Sequence, residues 1–341
     1  ANGSDIAFEE EAFISLYKRF LDKKIGISLD WTDIEQKFKN YEDLVTPKEA
    51  DIVDALSRLV VIKLSGGLGT SMECCGPKSL IPVKEERTFL DLTLQQLEVR
   101  HLVILSERAL NTNYNLDMPL VLMNSFNTQH ETDAYLKKMP KTSTKIYTFR
   151  QNRQVDCHCS RFPRLSADTG LPLAESMQLE PKNYYAWYPP GHGDVYRSFQ
   201  ESGLLDKFHN EGKTWLFISN IDNLAILCWL EEQQFEFVME VSRKTVVDRK
   251  GGTLVYYKGG LRLLEVAQVP REHMADFLNA KKFNIFNTNN LWINLRALYS
   301  HIQAKTLEMD LIVNTKTLKD GTRVIQLEEA AGAAIKSFNK S

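Results

Sequence analysis

A run of glycines followed by a lysine is the part of this sequence best suited to chemistry. The short apolar run Val60-Val61-Ile62-Lys63-Leu64 empties into Ser65-Gly66-Gly67-Leu68-Gly69-Thr70-Ser71-Met72, and Gly76-Pro77-Lys78-Ser79 follows. A strand that ends in glycines brings bare backbone N–H groups to one point, with no Cβ to hold a ligand away. Phosphate is the usual ligand of such a nest, and a lysine from the same loop supplies the matching charge. The spacing fits neither of two common phosphate loops. Pro77 separates Gly76 from Lys78-Ser79, which breaks the G-x-x-x-x-G-K-[ST] pattern, and Met72 stands where a dinucleotide loop needs its third glycine. A purely structural glycine-rich turn stays open at this level.

Four further groups carry candidate chemistry. In Phe217-Ile218-Ser219-Asn220-Ile221-Asp222-Asn223 an aspartate falls where a buried strand runs out, a natural Mg²⁺ ligand facing phosphates or else a helix cap. In Trp187-Tyr188-Pro189-Pro190-Gly191-His192-Gly193-Asp194, prolines stiffen a loop and glycines admit a flat ligand. His192, between two glycines, is read as loosely packed and close to a helix N-terminus, where it can reach a phosphate or hydroxyl. Asn284-Ile285-Phe286-Asn287-Thr288-Asn289-Asn290-Leu291-Trp292 is dense in amides, which need sugar hydroxyls or one another as partners. The pair Gly251-Gly252 is either a turn or a close approach to a sugar. Lys336 stands in a run whose apolar residues, Leu327, Ala330, Ala331, Ala334, Ile335 and Phe338, predict a closing helix. On that helix Lys336 lies about 180° from Leu327, away from the apolar stripe, with Gly332 and Ala333 leaving room for a ligand.

These groups must be held by elements the periodicity predicts. Phe13, Leu16, Tyr17, Phe20 and Leu21 make one helical face, and Thr46-Pro47-Lys48-Glu49 reads as a capping box opening a helix through Ile52, Leu56 and Leu59. From residue 60 the pattern changes. Strands are expected at 60–64, 120–123, 145–149, 215–219, 236–241, 253–257, 261–265 and 283–292, with helices at 89–97, 127–138 and 194–202 among them. Such alternation predicts an α/β fold, a mostly parallel central sheet covered by helices on both faces, with its site beyond the carboxyl ends of the strands. The expected division is a helical N-terminal segment, 1–59, and a catalytic domain, 60–341.

Composition narrows the class. With 43% hydrophobic and 25% charged residues the chain reads as folded and globular, and a net charge of −2 gives no footprint for nucleic acid or an anionic membrane. No apolar run approaches the length of a bilayer span. The acidic first residues lack a signal peptide's basic and apolar regions, and five unevenly spaced cysteines (Cys74, Cys75, Cys157, Cys159, Cys228) fit free thiols better than disulfides or a zinc site. A cytoplasmic setting is expected.

Taken together, the glycine–lysine loop, Leu122-Met123-Asn124-Ser125-Phe126-Asn127-Thr128, residues 187–194, 219–223 and 286–292, and Ala333-Ala334-Ile335-Lys336-Ser337-Phe338 resemble, in order, the blocks of eukaryotic UDP-glucose pyrophosphorylase. The resemblance implies a GT-A-like nucleotidyltransferase fold and the reaction of UTP with glucose 1-phosphate, with Mg²⁺, to UDP-glucose and pyrophosphate. It implies backbone contacts from Leu64, Ser65, Gly66 and Gly67 to the nucleotide, Lys78 on its phosphates, and Gln151 and Gly191 at the uracil. His192, Asn220, Ile221, Gly252 and Asn289 would face the sugar phosphate, Asp222 would hold Mg²⁺, and Lys336 would neutralise phosphate charge. Lys78, Asp222 and Lys336 would then be the catalytic groups. The chain departs from the family at Ser65, where asparagine is usual, and at Cys75, where a basic residue is usual, with Glu73 adding a negative charge. Segment 97–116 is longer than the pattern, 223–235 is shorter and 152–164 is unfamiliar. The left-handed β-helix that often mediates oligomers in the family is absent from this sequence, and an oligomer stays possible. A catalytically weak relative that binds UTP or a UDP-sugar, and a pyrophosphorylase for another sugar 1-phosphate, are the competing readings.

Overall fold

The structure, a computed structural model, describes residues 3–22, 29–44, 48–68, 76–98, 118–140, 142, 144–151, 162–173, 185–223, 234–245, 248 and 251–341. Its centre is a six-stranded sheet built from β1 (Leu59–Leu64), β2 (Leu120–Asn124), β3 (Ile146–Arg150), β4 (Trp215–Asn220), β5 (Phe237–Arg243) and β6 (Ile285–Asn294), in the order β5-β6-β4-β1-β2-β3. β1 pairs in parallel with both β2 and β4, and β2 with β3; β6 alone runs against its neighbours β4 and β5. All eight expected strands form, within two residues of the expected limits.

Every residue of β1 is buried, because the strand is covered on both faces, which is why all but Lys63 are apolar. Val60, Ile62 and Leu64 pack with the helices Val195–Glu201 and Leu204–Asn210 through Phe199, Leu205 and Phe208. Leu59 and Val61 face the other way, toward Leu90 and Leu94 of the helix Phe89–Glu98 and toward Trp215, Phe217 and Trp292. Period-two alternation therefore puts Lys63 on this second face. Two smaller units flank the sheet: the hairpin Gly252–Tyr257 with Gly260–Glu265, and a three-stranded sheet of Leu311–Thr317, Arg323–Glu329 and Leu165–Ser166. Leu16 of the first helix, Gly3–Leu21, packs with Leu311 and Leu327 of that sheet, and Arg19 Nη1 meets Glu329 Oε1 at 2.7 Å. No helix among the described residues is long and apolar enough to cross a membrane.

Two expectations about helices fail. The closing segment is not one helix: Leu327 lies on the strand Arg323–Glu329, and a 3₁₀ turn spans Ala331–Ser337. The apolar stripe is real in burial but arises from two elements, because strand alternation up to Glu329 and a short buried turn together can be read as helical spacing over twelve residues. The second helix runs over Glu49–Ser57 with Lys48 at its N-cap and no side-chain cap, and Leu59 begins β1 instead of ending the helix. Thr46 and Pro47 lie outside the described residues, as do Glu73, all five cysteines, and residues 99–116, 152–161 and 224–233 of the atypical segments.

Candidate active site

The parallel strands end on one edge at Leu64, Asn124, Arg150 and Asn220, and the site is built there. After β1 the chain stays pinned: the Ser65 N–H donates to Met123 O at 2.8 Å. Ser125 Oγ donates to Gly66 O at 2.7 Å, and a Cβ on Gly66 would come within 3.1 Å of Gln151 Oε1. Gly66 and Gln151 are thus brought together, with Gln151 buried after its N–H bonds Asn124 O at 2.8 Å. Gly67 is open, with nothing within 4 Å of an added Cβ. Its carbonyl accepts from the Lys78 N–H at 3.0 Å, and Leu68 bridges Pro77. The proline that breaks the common motifs therefore closes the loop and returns Lys78 to its mouth.

Lys78 Nζ reaches Asp222 Oδ2 at 2.7 Å across 144 residues. Asp222 sits in the turn after β4 with its other oxygen, Oδ1, buried and lacking a hydrogen-bond partner among the described residues. That orphaned oxygen fits a divalent cation. No cluster of three or more His, Cys, Asp or Glu side chains suited to a metal occurs among the described residues. One carboxylate completed by phosphate oxygens and water matches the coordination Mg²⁺ prefers.

Next to it, β6 carries an irregularity that explains its amides. Glu240 pairs with Asn290 but Val241 pairs with Asn287, so Thr288 and Asn289 bulge from the ladder. Asn289 has a left-handed backbone, φ 59°, which a short amide tolerates. Its Nδ2 donates to Asn220 Oδ1 at 3.0 Å, while its own Oδ1 is buried without a partner among the described residues. Asn290 Nδ2 donates to Glu240 Oε2, and Asn223 Nδ2 donates to Thr288 O and Asn290 Oδ1. Most of the amide run is thus an internal ladder. Asn289, itself buried, instead joins Asn220 at the end of β4.

The 187–194 loop is built against the edge of the smaller sheet. Gly191 has φ 91°, a conformation that favours glycine. Gly193 lies so close to the strand Arg323–Glu329 that a Cβ would sit 2.6 Å from Glu329 O. His192 is not loosely packed as its glycine neighbours suggested: its Nδ1 accepts the Ala331 N–H at 3.1 Å, and burial pushes its pKa down to about 4. The ring is therefore neutral near pH 7, and with Nδ1 accepting, Nε2 carries the hydrogen and is a donor.

Other sequence-selected residues fall differently. Ile221 is 1% exposed within the Leu59–Trp292 core, so only its backbone can face a ligand. The space over Gly252 is filled by the Glu265 carboxylate, 2.7 Å from an added Cβ, and Gly251, φ 105°, abuts Phe286. Lys336 bonds Asp310 Oδ1 at 2.8 Å, and no contact joins it to Lys78 or Asp222. Three residues not selected from sequence also border the site. Ser125 anchors Gly66. Glu265 is driven by burial, then by Glu328, up to about 7. Lys63 is buried under the Asp222 turn, and burial pushes its ammonium down to about 8. A charge inside the Val60–Leu64 run was the available signal for Lys63, and Ser125 lies in one of the blocks that resemble the family; nothing in the sequence marked Glu265.

The profile of the UTP–glucose-1-phosphate uridylyltransferase family matches residues 10–341. UTP–glucose-1-phosphate uridylyltransferase 2 of Dictyostelium discoideum is 44% identical over 337 residues, covering 96% of this chain and 62% of that protein. The Saccharomyces cerevisiae UTP–glucose-1-phosphate uridylyltransferase is 44% identical over 345 residues, covering 97% and 64%. A variant of UDP-glucose pyrophosphorylase from Leishmania major, crystallised in complex with UDP-glucose, superposes with TM-score 0.75 at 33% identity, covering 96% of this chain and 70% of that one. The chain spans less than two thirds of the length of those two sequence relatives. With this match over nearly all of its residues, it belongs to the UTP–glucose-1-phosphate uridylyltransferase family.

Proposed function

We propose that the chain carries the catalytic site of a uridylyltransferase that makes UDP-glucose and pyrophosphate from UTP and glucose 1-phosphate. The observation that carries the reading is the Lys78–Asp222 pair at the mouth of the glycine loop, with Asp222 Oδ1 left unpartnered. A phosphate-binding nest, a cation and a carboxylate suited to Mg²⁺ meet at one point, and the family match supplies the substrate class. A phosphate oxygen of the sugar phosphate attacks the α-phosphorus of UTP in line, and the bond from that phosphorus to the bridging oxygen breaks, releasing pyrophosphate. Such transfer asks the protein mainly for alignment and charge neutralisation. Asp222 would hold the Mg²⁺, which when bound supplies charge neutralisation at phosphate oxygens. Lys78 exchanges its carboxylate partner for nucleotide phosphate. The backbone of Leu64, Ser65, Gly66 and Gly67, with Gln151 and Gly191, holds the nucleotide. His192 donates from Nε2 toward the sugar phosphate, beside Asn220, Asn289 and the backbone of Ile221 and Gly252. Lys336 joins the phosphates only by leaving Asp310.

We further place the protein in the cytoplasm, acting on small molecules and not on nucleic acid or membrane. Incubation with UTP, glucose 1-phosphate and Mg²⁺ should release pyrophosphate, faster than with N-acetylhexosamine 1-phosphate. Lys78→Ala and Asp222→Ala should each lower kcat/KM by about 10²–10³. UTP binding without pyrophosphate would overturn catalysis and leave a nucleotide-binding relative.

A further inference from the structure

Lys63 has no part in the chemistry just described, yet its setting is expensive. It is 3% exposed, on the face of β1 shared with Leu59 and Val61, its Nζ 5.4 Å from the centre of the Phe217 ring, which itself packs against Trp292 at 4.3 Å with the rings tilted by 33°. A buried ammonium is costly unless its donors are used. Lys63 Nζ donates to Ser219 Oγ at 2.7 Å and to Asn223 O at 2.5 Å. These two acceptors open and close the turn that contains Asp222. The same turn is tied from the far side, where Asn223 Nδ2 donates to Thr288 O at 2.6 Å and to Asn290 Oδ1 at 3.0 Å. Asn290 in turn donates to Glu240, which also accepts from Trp292 Nε1. Ile221, 1% exposed, roots the middle of the turn in the core. Asp222 therefore projects from a turn held at both ends and at its centre, and Lys63 is the hold from beneath.

We propose that Lys63 is a positioning residue: its ammonium pins the 219–223 turn and so fixes the Asp222 carboxylate for a divalent cation. This rests on the reading of Asp222 as the metal ligand. Groups that orient a ligand in this way are worth roughly 10–100-fold in metal affinity or activity. The sign of the effect separates positioning from bare charge. Removing a cation near Asp222 should tighten metal binding if charge alone matters, whereas a loosened turn should weaken it.

The test replaces Lys63 by methionine, apolar and of similar length. Mn²⁺ is titrated by electron paramagnetic resonance without substrates, and amide hydrogen exchange is followed on the ligand-free protein. Lys63→Met should bind Mn²⁺ about 10–100-fold more weakly and exchange faster at residues 219–223. Its thermal midpoint should fall modestly, since Ser219 Oγ and Asn223 O lose their donor while the methionine keeps the apolar packing. Unchanged or tighter Mn²⁺ binding with unchanged exchange would overturn the proposal. If the methionine variant does not fold, Ser219→Ala deletes one of the two acceptors and should weaken Mn²⁺ by about two- to tenfold; no change there would overturn it as well. Asp222→Asn is the control. Wild-type Mn²⁺ affinity in that variant would overturn the metal reading of Asp222, a failure distinct from any change in exchange at residues 219–223.

Discussion

Adding a single methyl group at Gly193 and at Gly332 should have unequal effects, although the nearest atom is at the same distance in both. At Gly193 the new Cβ would stand 2.6 Å from Glu329 O and 2.7 Å from its carbonyl carbon. That wall is backbone, locked in a ladder with Leu311–Thr317, and cannot move without breaking strand hydrogen bonds. At Gly332 the Cβ would stand 2.6 Å from Met239 Cε and 3.0 Å from Leu263 Cδ2, the ends of side chains that can turn aside. Overpacking costs typically 1–3 kcal/mol, so Gly193→Ala belongs at about 3 kcal/mol and Gly332→Ala below about 1. Unfolding entropy of roughly 2.1 cal/mol/K per residue gives about 0.7 kcal/mol/K for the 341 residues. The expected losses are then about 4 °C and about 1 °C in scanning calorimetry. Because His192 precedes Gly193 and is held by the Ala331 N–H, Gly193→Ala should also raise KM for the sugar phosphate. Gly332→Ala should leave it near wild type. A Gly193→Ala midpoint within 1 °C of wild type, or a larger loss at Gly332, would refute the claim that the loop is seated against an immovable strand.

Two further outcomes test the site's support. Ser125→Ala removes the donor to Gly66 O, a loss of about 1–2 kcal/mol if the carbonyl is left unpaired; calorimetric UTP affinity should fall roughly 5- to 30-fold, and a change within twofold would count against the anchor. The His192 ring sits at about 4 when folded against 6.5 ordinarily. The unfolded chain therefore binds more protons between those values, and stability rises with pH across that window. Urea midpoints of wild type and His192→Gln at pH 4.5 and 7 should show a shallower rise in the variant; parallel slopes would mean that His192 is not held neutral.

Much of the architecture was legible because it depends on local pattern. Buried parallel strands such as β1 and β2 need continuous apolar runs, and a strand that ends in glycines announces where its backbone is bare. The amide run at 284–292 was equally visible, but not its division into an internal ladder and the separate Asn289–Asn220 contact. That division depends on a two-residue bulge, set by how β6 registers against β5. Short-range periodicity also misread the stretch from Leu327 to Phe338, since burial spread over a strand and a 3₁₀ turn mimics one helical stripe.

From the sequence alone came the phosphate loop, the aspartate at a strand's end, the order of the elements and the family they resemble. These rest on residue type and near-neighbour spacing, which the chain carries whether or not it is folded. Tertiary structure alone decided that Lys78 meets Asp222 across 144 residues, that Lys336 pairs with Asp310, and that Lys63 lies beneath the Asp222 turn. Each of these is a contact between distant segments. Only the register of the sheet and the packing on its two faces bring such segments together, and no local pattern records either.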